Sequence, residues 1–363
     1  MNSTLLQVEW EACPLEPGRD NALEAFARRE YGSVPPNVRY LAHCPWVVRV
    51  SALLNPDRAL LIELDFELAD LVSMVVSQEN SCRFCFAISH FLLRVQGLSE
   101  ARIAELQARL SGGQLEPKAA AAVAFARRMS RSQPLVGDGE RRALEAAGFG
   151  PGAVREIAFV VAFLSFANRL NTFPAIPSAE IEQFPGRWMF RLMRPLIARS
   201  MSAHRRRGQV SPAATPREGF LAGLVNGYAG SPIGPAIAAS LDEAWASPVL
   251  SRRCKALLFA VVATGLNCDA SLDDSRAVLR AEGLPDAAVD RALTHLQAPE
   301  LDEVENLLLP FARDTIWYQP APVQRRAREL LQRLSPAQFV EAVGVLSLAN
   351  ALCRLTPAVV PRS

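Results

Sequence analysis

The chain repeats itself at a nearly constant spacing, and this repeat constrains the fold more than any other feature of the sequence. Three pairs of segments match each other: Leu41–Pro45 with Tyr228–Pro232, Leu64–Cys82 with Leu250–Cys268, and Leu164–Asn168 with Leu346–Asn350. The offsets between the paired segments are 187, 186 and 182 residues. A repeat at a fixed period indicates that one structural unit occurs twice. The sequence therefore predicts a tandem duplication in which a few loop residues have been lost.

The apolar residues of the chain follow the period of the α-helix. Stretches rich in Ala, Leu, Arg and Glu have apolar residues at a spacing near 3.6, as in Glu100–Leu110, Pro117–Ser130 and Val323–Leu334. Alternating patterns typical of strands are nearly absent. A chain of 363 residues also exceeds what one core usually organises. We therefore expect an all-α protein with two tandem helical domains, residues 1–178 and 223–363, joined by a basic connecting helix and linker over residues 179–222.

Composition and charge exclude several classes of protein. Half of the residues are hydrophobic and 21% are charged, which is too apolar for a disordered chain. The 39 Lys and Arg residues nearly balance the 37 Asp and Glu residues, so the overall charge does not call for nucleic acid or an anionic membrane as partner. We see no secretion signal, and the apolar runs 157–167 and 256–266 are too short to cross a bilayer. We expect a cytoplasmic protein that binds neither nucleic acid nor membrane.

The segment Phe184–Arg217 is locally basic. It contains eight Arg, one His and no acidic residue, and apolar residues are interleaved among the basic ones up to Arg199. Such a pattern fits a helix on a membrane surface or on nucleic acid. It also fits a connecting helix that packs its apolar face on the protein and exposes its Arg face. We favour the connecting helix because the segment is short and the rest of the chain restores neutrality.

Two of the seven cysteines, Cys82 and Cys85, form a Cys-x-x-Cys pattern, and the other five are scattered. An odd number of sparse cysteines does not make a disulfide framework. Asn80 or Ser81, just before the pair, can cap a helix that Gly97 ends, which places both thiols in its first turn. There the helix dipole, free backbone N–H groups and Arg83 favour the thiolate. A thiolate with a second thiol one turn away can attack an electrophile and be resolved as a disulfide, so the pattern predicts redox chemistry.

Both halves resemble the alkylhydroperoxidase D and carboxymuconolactone decarboxylase superfamily, over residues 35–175 and 225–357. The resemblance rests on the Leu-Ala-x-x-Pro entry, a carboxylate-bearing helix before an Asn-x-Cys-x-x-Cys helix with a nearby His, and the later Asn168-Arg169. Members of this family are all-helical trimers or hexamers, and those of the alkylhydroperoxidase branch reduce peroxides through the cysteine pair. The resemblance implies two tandem domains of this fold in one chain and a homotrimer of such chains.

The resemblance also implies roles for particular residues. Cys85 would be the peroxidatic thiol and Cys82 the resolving thiol that exchanges with a dithiol reductant, and Asp70 occupies the position of the family's relay Glu. The family's His position is Ser89 in this chain, and His90 follows it. On a regular helix Ser89 lies about 40° from Cys85 and His90 about 140°. Three arrangements stay open: a distorted helix that brings His90 to Cys85, His90 acting on Cys82, or Asp70 acting through Ser89 or water.

The second half lacks this set of residues. In the register of the repeat it keeps one thiol and loses the carboxylate, the second thiol and the histidine; the corresponding positions hold Ala256, Cys268, Ser271, Ser275 and Arg276. A single thiol cannot run a two-thiol cycle, so we expect the second domain to be a structural partner in the place of an identical subunit. Cys254 and Cys353 lie in apolar helical stretches and are expected to be buried, inert thiols.

The sequence thus predicts a thiol-dependent peroxidase that acts on a small-molecule peroxide and is regenerated by a dithiol reductant protein. Two other classes stay open: an acid–base enzyme of the decarboxylase type, and a non-catalytic redox-sensing scaffold. No glycine-rich phosphate loop and no haem attachment motif occurs, so no cofactor is predicted. A zinc site completed by His43 and Cys44 is disfavoured because no motif supplies the two further ligands.

Overall fold

Helices account for the regular secondary structure of this chain wherever the structure describes it. The computed structural model describes residues 8–57, 59–112, 115–131, 135–178, 194–197, 199 and 216–360, and no strand occurs in these ranges. The predicted all-α class is therefore confirmed. Most of the connecting segment predicted over 179–222, with most of the basic stretch 184–217, lies outside the described residues.

The N-terminal half begins with two helices that precede the repeated unit and continues with seven more. Their bounds are α1 (Asn21–Tyr31), α2 (Asn37–Leu41), α3 (Pro45–Leu53), α4 (Phe66–Glu79), α5 (Arg83–Val95), α6 (Glu100–Gly112), α7 (Pro117–Ser130), α8 (Asp138–Ala146) and α9 (Pro151–Thr172). The C-terminal half continues with α10 (Ala222–Asn226), α11 (Ile233–Ala246), α12 (Arg252–Leu266), α13 (Asp269–Ala281), α14 (Asp286–His295), α15 (Glu303–Asp314), α16 (Pro320–Leu330) and α17 (Pro336–Val359).

Side-chain caps and prolines explain where several of these helices begin. Asp65 Oδ1 accepts a hydrogen bond from the Leu68 N–H at 2.8 Å before α4, and Ser251 Oγ accepts one from the Cys254 N–H at 3.0 Å before α12. Such caps satisfy N–H groups that the helix itself leaves unpaired. Proline stands in the first positions of α3, α7, α9, α16 and α17, where its missing N–H is not needed.

The helix order of the N-terminal half recurs in the C-terminal half. The seven helices α3–α9 correspond one by one, in chain order, to the seven helices α11–α17. The last helix of each series is its longest, with 22 residues in α9 and 24 in α17. The Leu64 N–H donates to Glu156, and the Leu250 N–H donates to Glu341 in the same way. These observations agree with a duplication, which stays a prediction.

The repeated contacts correct the predicted register of the last helices. Glu156 and Glu341 are 185 residues apart, as are the prolines that begin α9 and α17. The match between Asn168 and Asn350 at 182 residues is therefore displaced by three residues, which is close to one helical turn. In the structural register, Arg169 corresponds to Arg354.

The two halves share one apolar core. Helices α9 and α17 lie side by side at its centre, and nearly all of their residues are buried. One continuous cluster of buried apolar residues contains members of both halves, such as Val161 and Leu346. At the periphery α3 packs on α11, and Arg49 Nη2 contacts Glu243 Oε2 at 2.7 Å. The two predicted domains are therefore joined by extensive packing.

Helix α17 is the only helix in the described ranges that is long and apolar enough to cross a membrane. Its most apolar window has a mean hydropathy of 1.4, and 94% of that window is buried inside the protein. This burial is typical of a core helix.

Gly344 allows α17 to approach α3 closely. A Cβ atom at this position would lie 2.7 Å from Val47 Cγ2 and 3.1 Å from Trp46 Cη2. We predict that Gly344→Ala lowers the free energy of unfolding by roughly 1–3 kcal/mol, because the added methyl group overfills a packed contact between the halves. Urea denaturation measures this change. The control is Gly139→Ala in α8, where nothing lies within 4 Å of the new methyl group, and we expect it to leave stability unchanged or raised. Equal stabilities of the two variants would contradict the prediction.

Candidate redox site

A short turn between α4 and α5 positions the cysteine pair. Asn80 ends α4, and Ser81 takes the left-handed conformation with φ of 50°. Cys82 is then the residue that caps α5, and its Sγ accepts a hydrogen bond from the Cys85 N–H at 3.2 Å. The predicted cap, Asn80 or Ser81, is therefore wrong, because the turn uses both residues to reverse the chain. The predicted end of the helix is close to the observed one, since α5 ends at Val95 and a left-handed Gly97 follows.

The two thiols are enclosed in an apolar environment. Cys82 is fully buried and Cys85 is 6% exposed, and both pack with Phe84, Ala87 and Ile176 in a small cluster separate from the main core. Burial, strengthened by the hydrogen bond to Cys82, holds the pKa of the Cys85 thiol well above its ordinary value. This direction is the reverse of the thiolate expected for a first-turn cysteine. The loss of hydration outweighs the helix dipole at this position.

Asn171 is a polar contact of Cys85 that sequence reasoning missed. Its Nδ2 lies 3.7 Å from Cys85 Sγ and donates to the Ala167 carbonyl oxygen at 2.7 Å. Asn37 Nδ2 donates to Asn171 Oδ1 at 3.0 Å and fixes the orientation of the amide. Asn168, which the sequence did single out, instead donates to the Val76 carbonyl oxygen at 3.2 Å and joins α9 to α4. The one available signal for Asn171 was its position three residues beyond Asn168, on nearly the same helix face.

Tyr318 brings the C-terminal half to the cysteine pair. Burial raises its pKa, and negative charge on Cys82 or Cys85 would raise it further, so the phenol lies close to both thiols. Its ring packs edge-on against Phe173 at 5.2 Å between centroids, and the Arg169 guanidinium lies 5.2 Å from its centroid. No sequence pattern marked Tyr318, because it follows α15 in the half that lacks the Cys-x-x-Cys pattern.

Asp70 lies away from the thiols. It accepts a hydrogen bond from Gln96 Nε2 at 2.6 Å, just past the end of α5. Gln96 is eleven residues beyond Cys85, or about 16 Å along a helix. Helices α4 and α5 are joined by a tight turn and run antiparallel, so a residue near the start of α4 meets the end of α5. The predicted relay through Asp70 finds no support in this placement.

His90 and Ser89 occupy different sides of α5. His90 Nε2 lies 3.0 Å from Glu100 Oε2, and Arg94 Nε lies 3.1 Å from the other oxygen of the same carboxylate. The His90 ring therefore faces the start of α6, on a different helix face from Cys85. Ser89 is buried one turn beyond Cys85, on nearly the same face. Of the three partners proposed for the thiols, Asp70 and His90 contact other groups, and only Ser89 lies on the same side of α5 as Cys85.

The C-terminal half contains a second pair of contacting thiols. Cys268 lies just before α13, with its Sγ 3.2 Å from Ser271 Oγ, and it hydrogen-bonds the buried thiol of Cys353 in α17. This hydrogen bond lowers the pKa of Cys268 and raises that of Cys353. The prediction of a single thiol without a partner is therefore wrong. The partner comes from a distant helix, which inspection of α13 alone could not reveal.

The structure does not bring together the alternative zinc ligands. His43 Nε2 lies 2.9 Å from the Glu16 carbonyl oxygen, and Cys44 Sγ donates to Glu341 at 3.5 Å. Within the described ranges, no group of three or more His, Cys, Asp or Glu side chains is arranged to hold a metal ion.

No family model, curated protein or solved structure matches this chain. The resemblance to the alkylhydroperoxidase D superfamily therefore stays a prediction from sequence motifs.

The contact between Cys268 and Cys353 predicts an unusual titration. We expect wild-type protein to show a thiolate absorbance step at a pH below that of an ordinary cysteine, because the Cys353 thiol stabilises the Cys268 anion. Ultraviolet absorbance during a pH titration measures the step. Cys268→Ser should remove it, Cys353→Ala should move it to higher pH, and Cys254→Ala should leave it unchanged. A step that Cys353→Ala leaves in place would show that the second thiol has no influence.

Proposed function

We propose that the chain is a thiol-dependent redox enzyme that reduces small hydroperoxides with Cys82 and Cys85. The observation that carries this proposal is the placement of two thiols at the start of α5, where the Cys85 backbone N–H donates to Cys82 Sγ at 3.2 Å and both side chains lie in one small apolar cluster. Two thiols held one turn apart at a helix start are suited to disulfide formation. The resemblance in sequence supports the same class of reaction.

The Cys85 backbone N–H donates to Cys82 Sγ and would stabilise a thiolate there, while burial raises the pKa of the Cys85 thiol. These two observations favour an assignment of roles opposite to the one that the resemblance implies. The Cys82 thiolate attacks the terminal peroxide oxygen, the O–O bond breaks, and Cys82 becomes a sulfenic acid. The departing alkoxide takes the proton of the Cys85 thiol and leaves as an alcohol. The Cys85 thiolate then attacks the Cys82 sulfur and expels hydroxide, which forms the disulfide. Exchange with a dithiol protein returns both cysteines to thiols and oxidises the partner.

The surroundings of the pair fit such a cycle in a reducing compartment. All seven cysteines are free thiols, as in proteins of the cytoplasm. Because Cys82 is fully buried, exchange with a protein partner requires the start of α5 to open. Homotrimer formation stays a prediction from the resemblance.

A redox-sensing role is the second candidate, and the same burial favours it. A disulfide formed inside the small cluster would change the packing of α5 without repeated turnover. The acid–base alternative has no comparable support, because Asp70 lies at the other end of α5 from the thiols.

Peroxide consumption distinguishes these functions. With a supplied dithiol, we expect wild type and Cys254→Ala to consume cumene hydroperoxide over many turnovers, and Cys82→Ser to lose nearly all activity. Cys85→Ser should accumulate a sulfenic acid on Cys82, which dimedone labelling and mass spectrometry detect. Sulfenic acid on Cys85 in the Cys82→Ser variant would instead support the roles implied by the resemblance. A single turnover without regeneration would favour the sensor, and no oxidation of either thiol would overturn both redox proposals.

A further inference from the structure

A pocket of about 350 Å³ opens next to the cysteine pair, where the two halves meet. Its lining includes Asn80 from the turn before α5, Arg131 from the end of α7, Arg169 from α9, and Trp317 and Tyr318 from the segment after α15. Asn80 precedes Cys82 by two residues, and negative charge on either thiol would act on Tyr318. Neither cysteine lines the pocket, so the pocket adjoins the candidate redox site, and its volume suits a small organic ligand.

The wall of this pocket contains a buried cation without a counter-ion. Arg169 is 1% exposed, and its guanidinium donates to the carbonyl oxygens of Ser165, Thr315 and Ile316. Within the described residues no carboxylate forms an ion pair with it. Arg354 is also fully buried beside Arg169 and donates to the same Ile316 carbonyl at 3.3 Å. A buried guanidinium group without a counter-ion, such as that of Arg169, is costly unless negative charge compensates it.

The polar groups that face the pocket are mainly donors. The Asn80 side-chain nitrogen Nδ2 is buried and has no hydrogen-bond partner in the described parts of the chain. Arg131 adds a positive charge at the mouth of the pocket. The one carboxylate in the lining, Glu79, lies 3.3 Å from Arg127 Nε and is already neutralised. A ligand that supplies negatively charged acceptor oxygens would satisfy these donors.

Ile316 and Trp317 give the lining an apolar and aromatic side, and the Ser130 hydroxyl is already bonded to the Ala126 carbonyl oxygen. Trp317 is 47% exposed beside Ile316, and its indole offers a flat surface at the pocket. An inorganic ion would leave this surface unused, whereas an organic acid with a flat or apolar body would cover it.

We propose that this pocket binds small organic carboxylates, with the carboxylate between Asn80 and Arg131, in the positive electrostatic potential of Arg169, and the apolar body against Trp317. This inference rests on the proposed peroxidase function and extends it to a class of substrate. The substrates are hydroperoxides that carry a carboxylate, bound in this pocket with the peroxide group directed toward the thiols.

Direct binding tests the pocket independently of any activity. The probes are benzoate and its neutral counterpart benzamide, measured by calorimetry on the full chain. We expect benzoate to bind, benzamide to bind much more weakly, and Arg131→Glu to weaken benzoate binding by about tenfold or more, because a charge-assisted contact becomes a repulsion. The matched control is Arg313→Gln, which removes the cation over Trp317 but lies outside the pocket lining, and it should change binding by about twofold or less.

Three results would overturn the assignment of the pocket. They are equal binding of benzoate and benzamide, benzoate binding that Arg131→Glu leaves unchanged, and binding of inorganic phosphate in the absence of any benzoate binding.

Kinetics separate this inference from the proposed function. Arg131→Glu should raise the KM for a carboxylate-bearing hydroperoxide by about tenfold, and by a clearly larger factor than the KM for neutral cumene hydroperoxide, whereas Arg313→Gln should change neither by more than about twofold. If benzoate binds but no hydroperoxide is consumed, the pocket stands and the peroxidase proposal fails. If cumene hydroperoxide is consumed but Arg131→Glu affects both substrates equally, the peroxidase proposal stands and the substrate class fails.

Discussion

The packing of α9 against α17 is the contact on which the rest of the structure depends. Both helices are almost entirely buried, so each residue along them reaches a different neighbour in one half or the other. From α9, Asn171 reaches Cys85 and Arg169 reaches the segment after α15. From α17, Cys353 reaches Cys268 and Gly344 admits Trp46 and Val47 of α3. Each thiol pair is therefore connected to a central helix: Asn171 of α9 contacts Cys85, and Cys353, which hydrogen-bonds Cys268, belongs to α17.

Competition between burial and helix-start electrostatics decides the character of the cysteine pair. A helix N-terminus stabilises an anion by about 0.3–1 kcal/mol when exposed, whereas desolvation of a fully buried group shifts its pKa by up to several units. From its sequence position, Cys85 is expected to be governed by the helix N-terminus. In the structure, desolvation dominates because Phe84, Ala87 and Ile176 exclude water. The hydrogen bond to Cys82 raises the pKa of the Cys85 thiol further.

The two halves handle buried charge differently at corresponding places. Glu156 accepts hydrogen bonds from the N–H groups of residues 62–64, and burial raises its pKa. Glu341 instead forms an ion pair with the buried Lys255 at 2.8 Å. The N-terminal half has Ala69 at the position of Lys255 in the register of the repeat. A buried ion pair of this kind contributes more to fixing one packing arrangement than to stability. The two halves therefore differ in this ion pair as well as in their cysteines.

The sequence by itself determined the helical class, the recurring helix order and the presence of two cysteines at the start of α5. These features depend on local periodicity, on capping and on proline, which act within a few residues along the chain. The tertiary structure alone decided the burial of Cys85, the separation of Asp70 and His90 from it, and the arrival of Asn171, Tyr318 and Cys353 at the thiols. The placement of Asn171, Tyr318 and Cys353 depends on which helix faces meet across more than eighty residues of chain, and no local pattern encodes that pairing.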